Sequence, residues 1–437
     1  MFQIQRLHPL IPAFIMLAAF MVLSGCVASE RQVPWASPAA QTAATQAPDT
    51  LPAPALASGQ IQQALPAAAT SSSARSYAAL PAVKVAILLP LSGKSAPIGQ
   101  AMLQAAQLAV FDIGYDNFQL IPRDTHGTPE GALQAATSAL NNGAELILGP
   151  LFGPAVQAVK NVAAARRVNV IAFSTDWTLA GGNTYLMGFM PFSQVARVSA
   201  YAASKGIRTA GLLAPRDKYG NTLASAFETQ AQRSGIRITD RFRFAAGNNN
   251  ITAQLKPFTH YDPAAQQENP NLPPPYQAVF MPVGGQQADM LAGALGYYGI
   301  TPDKVKKLGT GLWDDPQVAS LPHMQGAWFA APSPYMRKKF EDKYSQTYGQ
   351  KPPRLSSMAY DATALAAVLA RTGFQQAGRP AFDRAALTNP NGFAGMDGIF
   401  RFGTDNLVER GLAVLEIRHR RIVEIDPAPK TFQTARP

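Results

Sequence analysis

The sequence predicts an α/β fold in which parallel sheets build two similar lobes. Three observations predict it. From Val83 onward, apolar runs of four to seven residues alternate with segments of a dozen or more that carry apolar positions at helical spacing. The short runs are apolar throughout, which suits strands buried on both faces of a parallel sheet. The alternation also restarts after about residue 190, so two units of about 110 residues follow one another.

The elements can be justified in order. "VKVAILLPLSG" is a buried strand leading into a Pro/Gly loop, and "GQAMLQAAQLAVFDI" has helical apolar spacing. "NFQLIPRDT" is a strand. "TPEGALQAATSALNNG" opens with a Thr cap and a proline and ends at Gly143, as a helix does. "AELILGP" is a strand, "GPAVQAVKNVAAARR" a helix and "VNVIAFSTD" a strand. The second unit repeats the scheme. "QVARVSAYAASKG", "GNTLASAFETQAQRSG" and "QQADMLAGALGYYG" are helices, and "IRTAGLLAP", "IRITDRFRF", "YQAVFMPVGG" and "VKKLGTGLW" are strands. After "GAWFAAP" come two helices, "MRKKFEDKYSQTYG" and "SMAYDATALAAVLART". The end reads as hairpins turning at Asp405-Asn406 and near His419. The segment from Asn248 to Pro275, with "NNN" and "PPP", is either a surface loop or a partner-binding insertion.

Ahead of this body stands a different texture. Arg6 precedes an apolar run from Leu10 to Val22, the length of a signal peptide and short of the about 20 residues that span a bilayer. The run ends in Leu23-Ser24-Gly25-Cys26, and Cys26 is the only cysteine. These four residues resemble the bacterial lipobox. The resemblance implies cleavage after residue 25, lipid attachment to Cys26 and anchoring by the acyl chains. Val27 stands where an aspartate would signal inner-membrane retention in such proteins, which favours the outer membrane. From Val27 to Ala82 the chain is almost all Ala, Pro, Ser, Thr and Gln, with Glu30, Arg31, Asp49 and Arg75 its only charges. That composition predicts a disordered tether reaching roughly 40 Å as a coil.

Charge and composition exclude several classes. The net charge is +11. The positive groups are dispersed, the tightest being Lys304/Lys306/Lys307, Arg337/Lys338/Lys339 and Arg418/Arg420/Arg421. None forms a basic arm interleaved with aromatics, so no nucleic acid partner is expected. A single cysteine excludes an intrachain disulfide. His8, His126, His260, His323 and His419 lack metal-ligand spacing, so no metal or other cofactor is expected. There is no G-x-S-x-G, P-loop or G-x-G-x-x-G, and spacing picks out no Ser/His/Asp set, so no enzyme is expected.

"LPLSGKSAPIGQAMLQAAQLAV", "ILGPLFGPAVQAV", "VNVIAFSTD", "RDKYGNTLASAFE" and "MAYDATALA" resemble, in order, segments of the type I periplasmic binding proteins of the leucine-binding kind. The resemblance covers about 83–425. It implies two Rossmann-like lobes joined by three crossovers, placed near Met190, Gly326 and Gly395. Lobe one is then about 83–190 plus 327–394 and lobe two about 191–326 plus 395–425, with 426–437 a tail. Ligands in open α/β sheets sit at the carboxyl ends of the strands. Those ends carry Ser92, Gly93, Ser95, Gly149, Ser174 and Thr175 in lobe one, and Tyr219, Trp313 and Asp314 in lobe two. Hydroxyls and helix N-termini there suit a small anionic or amino-acid ligand. The same residue types are also the ordinary ones of turns and caps. The loop after the third strand, "GPLFGPAV", lacks the hydroxyl with which amino-acid binders of this family hold a carboxylate.

"LGTGLWDDP" and "GAWFAAPSP", together with the lipobox and the tether, resemble the penicillin-binding protein activator lipoproteins. This implies an outer-membrane lipoprotein that binds and activates a class A penicillin-binding protein in peptidoglycan synthesis. The helical-repeat domain that such activators carry ahead of this body is replaced here by the short linker. The alternative is a substrate-binding lipoprotein linked to an ABC transporter.

Overall fold

The apolar run from Val83 forms the middle of a sheet. In the computed structural model, which describes residues 82–247, 251–269 and 272–432, all of β1 (Val83–Leu89) except Lys84 is buried. Cys26, the signal segment and the linker lie outside the described residues. β1 pairs in parallel with β2 (Phe118–Asp124) and β3 (Leu146–Leu148), which is why it carries no solvent-facing alternation. β4 (Asn169–Ala172) and β5 (Thr184–Leu186) extend the sheet to the order β2-β1-β3-β4-β5. Helices α1 (Ala96–Ile113), α2 (Pro129–Asn141) and α3 (Gly153–Ala165) make the crossovers. Each has a proline in its first turn, where the missing N–H costs nothing. Thr128 caps α2 by accepting from the Gly131 amide, and Gly114 ends α1 in the left-handed region.

The second lobe repeats this plan with α4 (Pro191–Ser204), β6 (Thr209–Pro215), α5 (Lys218–Arg233) and β7 (Arg237–Phe244). Then come α6 (Lys256–Thr259), α7 (Pro263–Glu268), β8 (Ala278–Phe280), α8 (Gly285–Tyr297), β9 (Lys306–Gly309), α9 (Pro316–Ser320) and β10 (Trp328–Ala331). Its strands alternate between two cores. Leu212, Ala214 and Phe280 pack under α4 and α5, where Phe227 stacks on Phe280 at 4.3 Å; Leu213, Val279 and Met281 pack under α8. The segment from Asn248 to Pro275 contributes Ile251, Leu255 and Phe258 to the second of these cores, so its described part covers lobe two.

The chain then returns. α10 (Pro334–Tyr348) and α11 (Ser356–Ala377) pack on α1, and Met358, Ala362, Leu365 and Ala366 complete the first core. α12 (Arg384–Leu387) and a small antiparallel sheet of β11 (Phe393–Gly395), β12 (Gly398–Phe402) and β13 (Val408–Arg410) follow. The hairpin of β14 (Ala413–Arg418) and β15 (Arg421–Asp426) closes the second sheet, whose order is β15-β14-β10-β9-β8-β6-β7. It turns at His419 and Arg420, both with positive φ.

Two passages between the lobes fall later than the sequence reading set them. β10 pairs with β9 and β14, so the chain stays with the second sheet to Ala331 instead of leaving near Gly326. Phe400, Phe402 and Val408 are buried in the first core, so the last passage falls between Arg410 and Ala413 instead of near Gly395. In both cases a glycine marks a turn, while the pairing of the strand beyond it decides which lobe it joins.

Candidate functional site

The carboxyl ends of the two sheets face a shared cavity of about 280 Å³. Lobe one supplies Thr175, Trp177, Phe189, Arg354 and Leu355; lobe two supplies Gln194, Tyr219, Gly311, Leu312, Asp314, Ala331 and Pro332. Asp176 caps a short turn over Trp177–Leu179 through the Thr178 amide, and the turn sets Trp177 along the cavity. Phe192 meets Trp177 edge-on at 5.4 Å. Across the cleft, Thr310 caps a turn over Gly311–Trp313, and Gln194 Oε1 accepts from the Gly311 amide at 2.7 Å. The Tyr219 hydroxyl lies 3.3 Å from that of Thr310, and burial pushes it above the usual phenol range.

Of the residues singled out by sequence, the structure brings Thr175, Tyr219 and Asp314 to the cavity. Trp313 is a correction. It is fully buried, with Nε1 donating to the Val283 carbonyl at 2.7 Å, because the tight turn sends Leu312 to the cleft and its neighbour into the core. Gly149 is also structural. Its φ is +85°, and a Cβ there would meet the Leu88 carbonyl oxygen at 2.3 Å. Ser174 is buried, its hydroxyl accepting from the Asp176 amide. Ser92, Gly93 and Ser95 lie in the loop before α1 and do not line the cavity; Gly93 adopts φ +73° and Ser95 makes no side-chain cap.

The fold does bring together a serine, a histidine and an aspartate that spacing did not reveal. Ser92 Oγ lies 2.6 Å from His126 Nδ1, and Asp124 lies 3.1 Å from the same nitrogen. A nucleophilic relay needs its two partners on opposite ring nitrogens. Here both share Nδ1, and Asp124 also accepts the amides of Leu91 and His126. Burial pushes the Asp124 carboxyl up, but these bonds and that from Ser92 win and hold it below the ordinary range. The cluster clamps a loop.

The charged floor of the cleft is the feature that sequence reasoning missed. The Asp314 side chain is 6% exposed, and its Oδ2 accepts from Arg337 at 2.6 Å and faces Arg354 at 3.8 Å. Arg354 also pairs with Asp397 at 3.0 Å and lies 4.2 Å over the Phe189 ring. Beyond it, buried Arg410 donates to the Met187 carbonyl and stands 3.8 Å from buried Asp361. Burial raises the Asp314 and Asp361 carboxyls above the usual range. It acts on Asp397 too, but Arg354 and Arg410 outweigh it and hold that carboxyl low. At the rim, Asp176 is kept low by the Thr178 hydroxyl and Lys218. Among the described residues no group of three His, Cys, Asp or Glu side chains is placed to hold a metal ion.

Two α/β lobes connected by three passages, with a cavity between the strand ends, define a cleft-binding protein. The chain belongs to the periplasmic binding protein family, whose model matches residues 82–421. It is 28% identical over 157 residues to the penicillin-binding protein activator LpoA of Glaesserella parasuis, which covers 36% of this chain and 26% of that protein. It is 25% identical over 182 residues to the Leu/Ile/Val-binding protein BraC3 of Rhizobium johnstonii, covering 39% of this chain and 50% of that one. The chain thus spans half or less of the length of these curated relatives. Among solved structures it resembles a provisionally assigned branched-chain amino acid ABC transporter of Rhodospirillum rubrum, with TM-score 0.68 at 17% identity, covering 79% of this chain and all of that one. It also resembles LivJ of Streptococcus pneumoniae in complex with isoleucine, with TM-score 0.52 at 19% identity and covering 79% and 100% of the two chains. These structural likenesses establish the type I periplasmic binding protein fold.

Proposed function

We propose that this chain is a lipid-anchored binding protein of the periplasm whose interlobe cleft takes a small, mainly apolar molecule and presents it to an ABC transporter. The observation that carries this reading is the cavity itself. Trp177, Phe189, Leu312 and Leu355 give it apolar walls, and Thr175, Gln194 and Tyr219 supply a few polar groups. Thr175, Tyr219 and Asp314 are the sequence-predicted residues that contact the ligand in this reading. BraC3, named for binding Leu, Ile and Val, supports it. The lipid on Cys26 holds the body to the outer membrane, and the segment after it acts as the tether. The reading is tested by thermal unfolding with a panel of aliphatic and aromatic small molecules. One at 100 times its Kd adds about 2.7 kcal/mol and a clear upward shift in Tm; no shift with any panel member sinks the reading.

A second reading is favoured by the LpoA match: a non-enzymatic activator of a class A penicillin-binding protein in peptidoglycan synthesis. Glycan polymerisation by a purified class A synthase decides it. A rise in rate on adding this protein, with no ligand-induced Tm shift, replaces the first reading by the second.

A further inference from the structure

We propose that Asp314, Arg337 and Arg354 form an interlobe latch that ties the cleft closed without a ligand and makes it select uncharged molecules. The inference rests on the cleft-binding reading for its ligand class, and on geometry alone for the latch. Asp314 follows the Gly311–Trp313 turn of lobe two, whereas Arg337 belongs to α10 and Arg354 to the loop before α11, both packed with lobe one. The ion pair therefore crosses the cleft. Opening the lobes would pull Asp314 off both guanidinium groups.

The partners left behind differ. Arg354 keeps Asp397 at 3.0 Å and Arg337 keeps Glu341 at 3.5 Å, so lobe one is satisfied either way. Among the described residues Asp314 has no other basic side chain within ion-pair distance, and its second oxygen, Oδ1, is buried without a hydrogen-bond partner. Only the closed arrangement therefore sets this carboxylate against two guanidinium groups, and opening exchanges them for water.

The same arrangement sets the ligand class. A cationic head group would compete with two arginines for Asp314. An anionic one would have to displace Asp314 from those arginines. An anion at the N-terminus of α3 would meet a carboxylate, because a Cβ on Gly153 would lie 3.7 Å from Asp176 Oδ2. An uncharged body with one hydrogen-bonding group disturbs neither.

The test uses three molecules with one carbon skeleton: isovaleramide, isovalerate and isoamylamine. Binding is read by calorimetry, and lobe separation by the distance between spin labels at exposed Leu133 on α2 and Glu228 on α5. Unliganded wild type is expected to show one short distance and to bind the amide only. Asp314→Asn is expected to lengthen or broaden the distance and, by releasing two arginines, to bind isovalerate at least about tenfold more tightly than wild type does. Arg337→Gln, which leaves the fold of α10 intact, should also lengthen the distance without the gain for isovalerate. Unliganded wild type with long distances, or Asp314→Asn with an unchanged distance, overturns the latch. Wild type binding either ion as well as the amide overturns the selectivity. If the distances behave as expected but wild type binds none of the three, the latch stands and the ligand reading falls.

Discussion

Lys218 of the second lobe stands 3.3 Å from Asp176 of the first, next in sequence to Tyr219 and Trp177, which line the cleft. This pair and that of Asp314 differ in environment. The lysine and aspartate side chains are 66% and 38% exposed, so solvent and salt screen them, whereas Asp314, 6% exposed, is screened much less.

Lys218→Ala is therefore expected to change stability by less than about 1 kcal/mol, and less still in 1 M salt. Urea unfolding at low and high ionic strength measures both. A loss well above that, persisting in salt, would mean that the rim pair and not Asp314 holds the lobes.

Trp313 and Leu312 are neighbours with opposite fates, the first fully buried and the second 47% exposed at the cleft. Trp313→Ala should cost about 3–5 kcal/mol, the scale of a large aromatic lost from a core. Leu312→Ala should stay within about 0.5 kcal/mol of wild type while weakening any ligand-induced rise in Tm. Equal destabilisation by the two would contradict the described turn.

Asp361 gives a pH dependence with a definite sign. Its buried carboxyl is raised to about 7, chiefly by burial and also by Asp397, against Arg410 and the Met396 and Asp397 amides. Unfolded, it titrates near 3.9. Between roughly pH 4 and pH 7 the folded chain holds the extra proton, so this group's contribution to stability falls as pH rises, by at most about 1.4 kcal/mol per unit. Asp397, held low by the arginines, acts in the opposite sense and only as the pH falls below the ordinary carboxylate range. Asp361→Asn should flatten the stability profile between pH 4 and pH 7. Its Oδ1 can still accept from the Met396 amide, so folding is retained. An unchanged slope would assign the pH dependence elsewhere.

Cys26→Ala removes the lipid attachment point that the Leu23–Cys26 pattern implies. The variant should leave the outer-membrane fraction, accumulating as soluble protein or as precursor that keeps its signal segment. Its continued co-sedimentation with outer membranes would show that something other than this cysteine anchors the chain.

Much of the architecture was legible because its signal is local. β1 is apolar except at Lys84 because it lies inside a parallel sheet with α1 and α2 packed on it, and Thr128 with Pro129 announces α2. The cleft was legible only in part. Thr175, Tyr219 and Asp314 sit at strand ends and could be placed by topology. In sequence Arg337 is one of a basic triplet with Lys338 and Lys339, and nothing in "KPPRLSS" distinguishes Arg354. What defines both is contact with carboxylates far away in sequence, Asp314 and Asp397, which no local periodicity encodes. Trp313 was misplaced for a related reason: in a three-residue turn the facing of each side chain depends on the cap, not on a repeat.

The packing of α1 on α11 also dictates when the first lobe can mature. Met102 and Ala106 of α1 share a core with Met358 and Ala362, which are joined to the chain only after strands β6 to β10 of the second lobe. As the polypeptide emerges from its amino end, the first sheet and its helix wait with an oily side exposed while more than half of the body is still to come. Such late-closing partners slow acquisition of the native state and invite sticking to other chains in the meantime. A truncated chain ending before Ser333 should therefore leave the earliest-made half without its cover, so escort or delay before folding is a requirement built into the order of the elements.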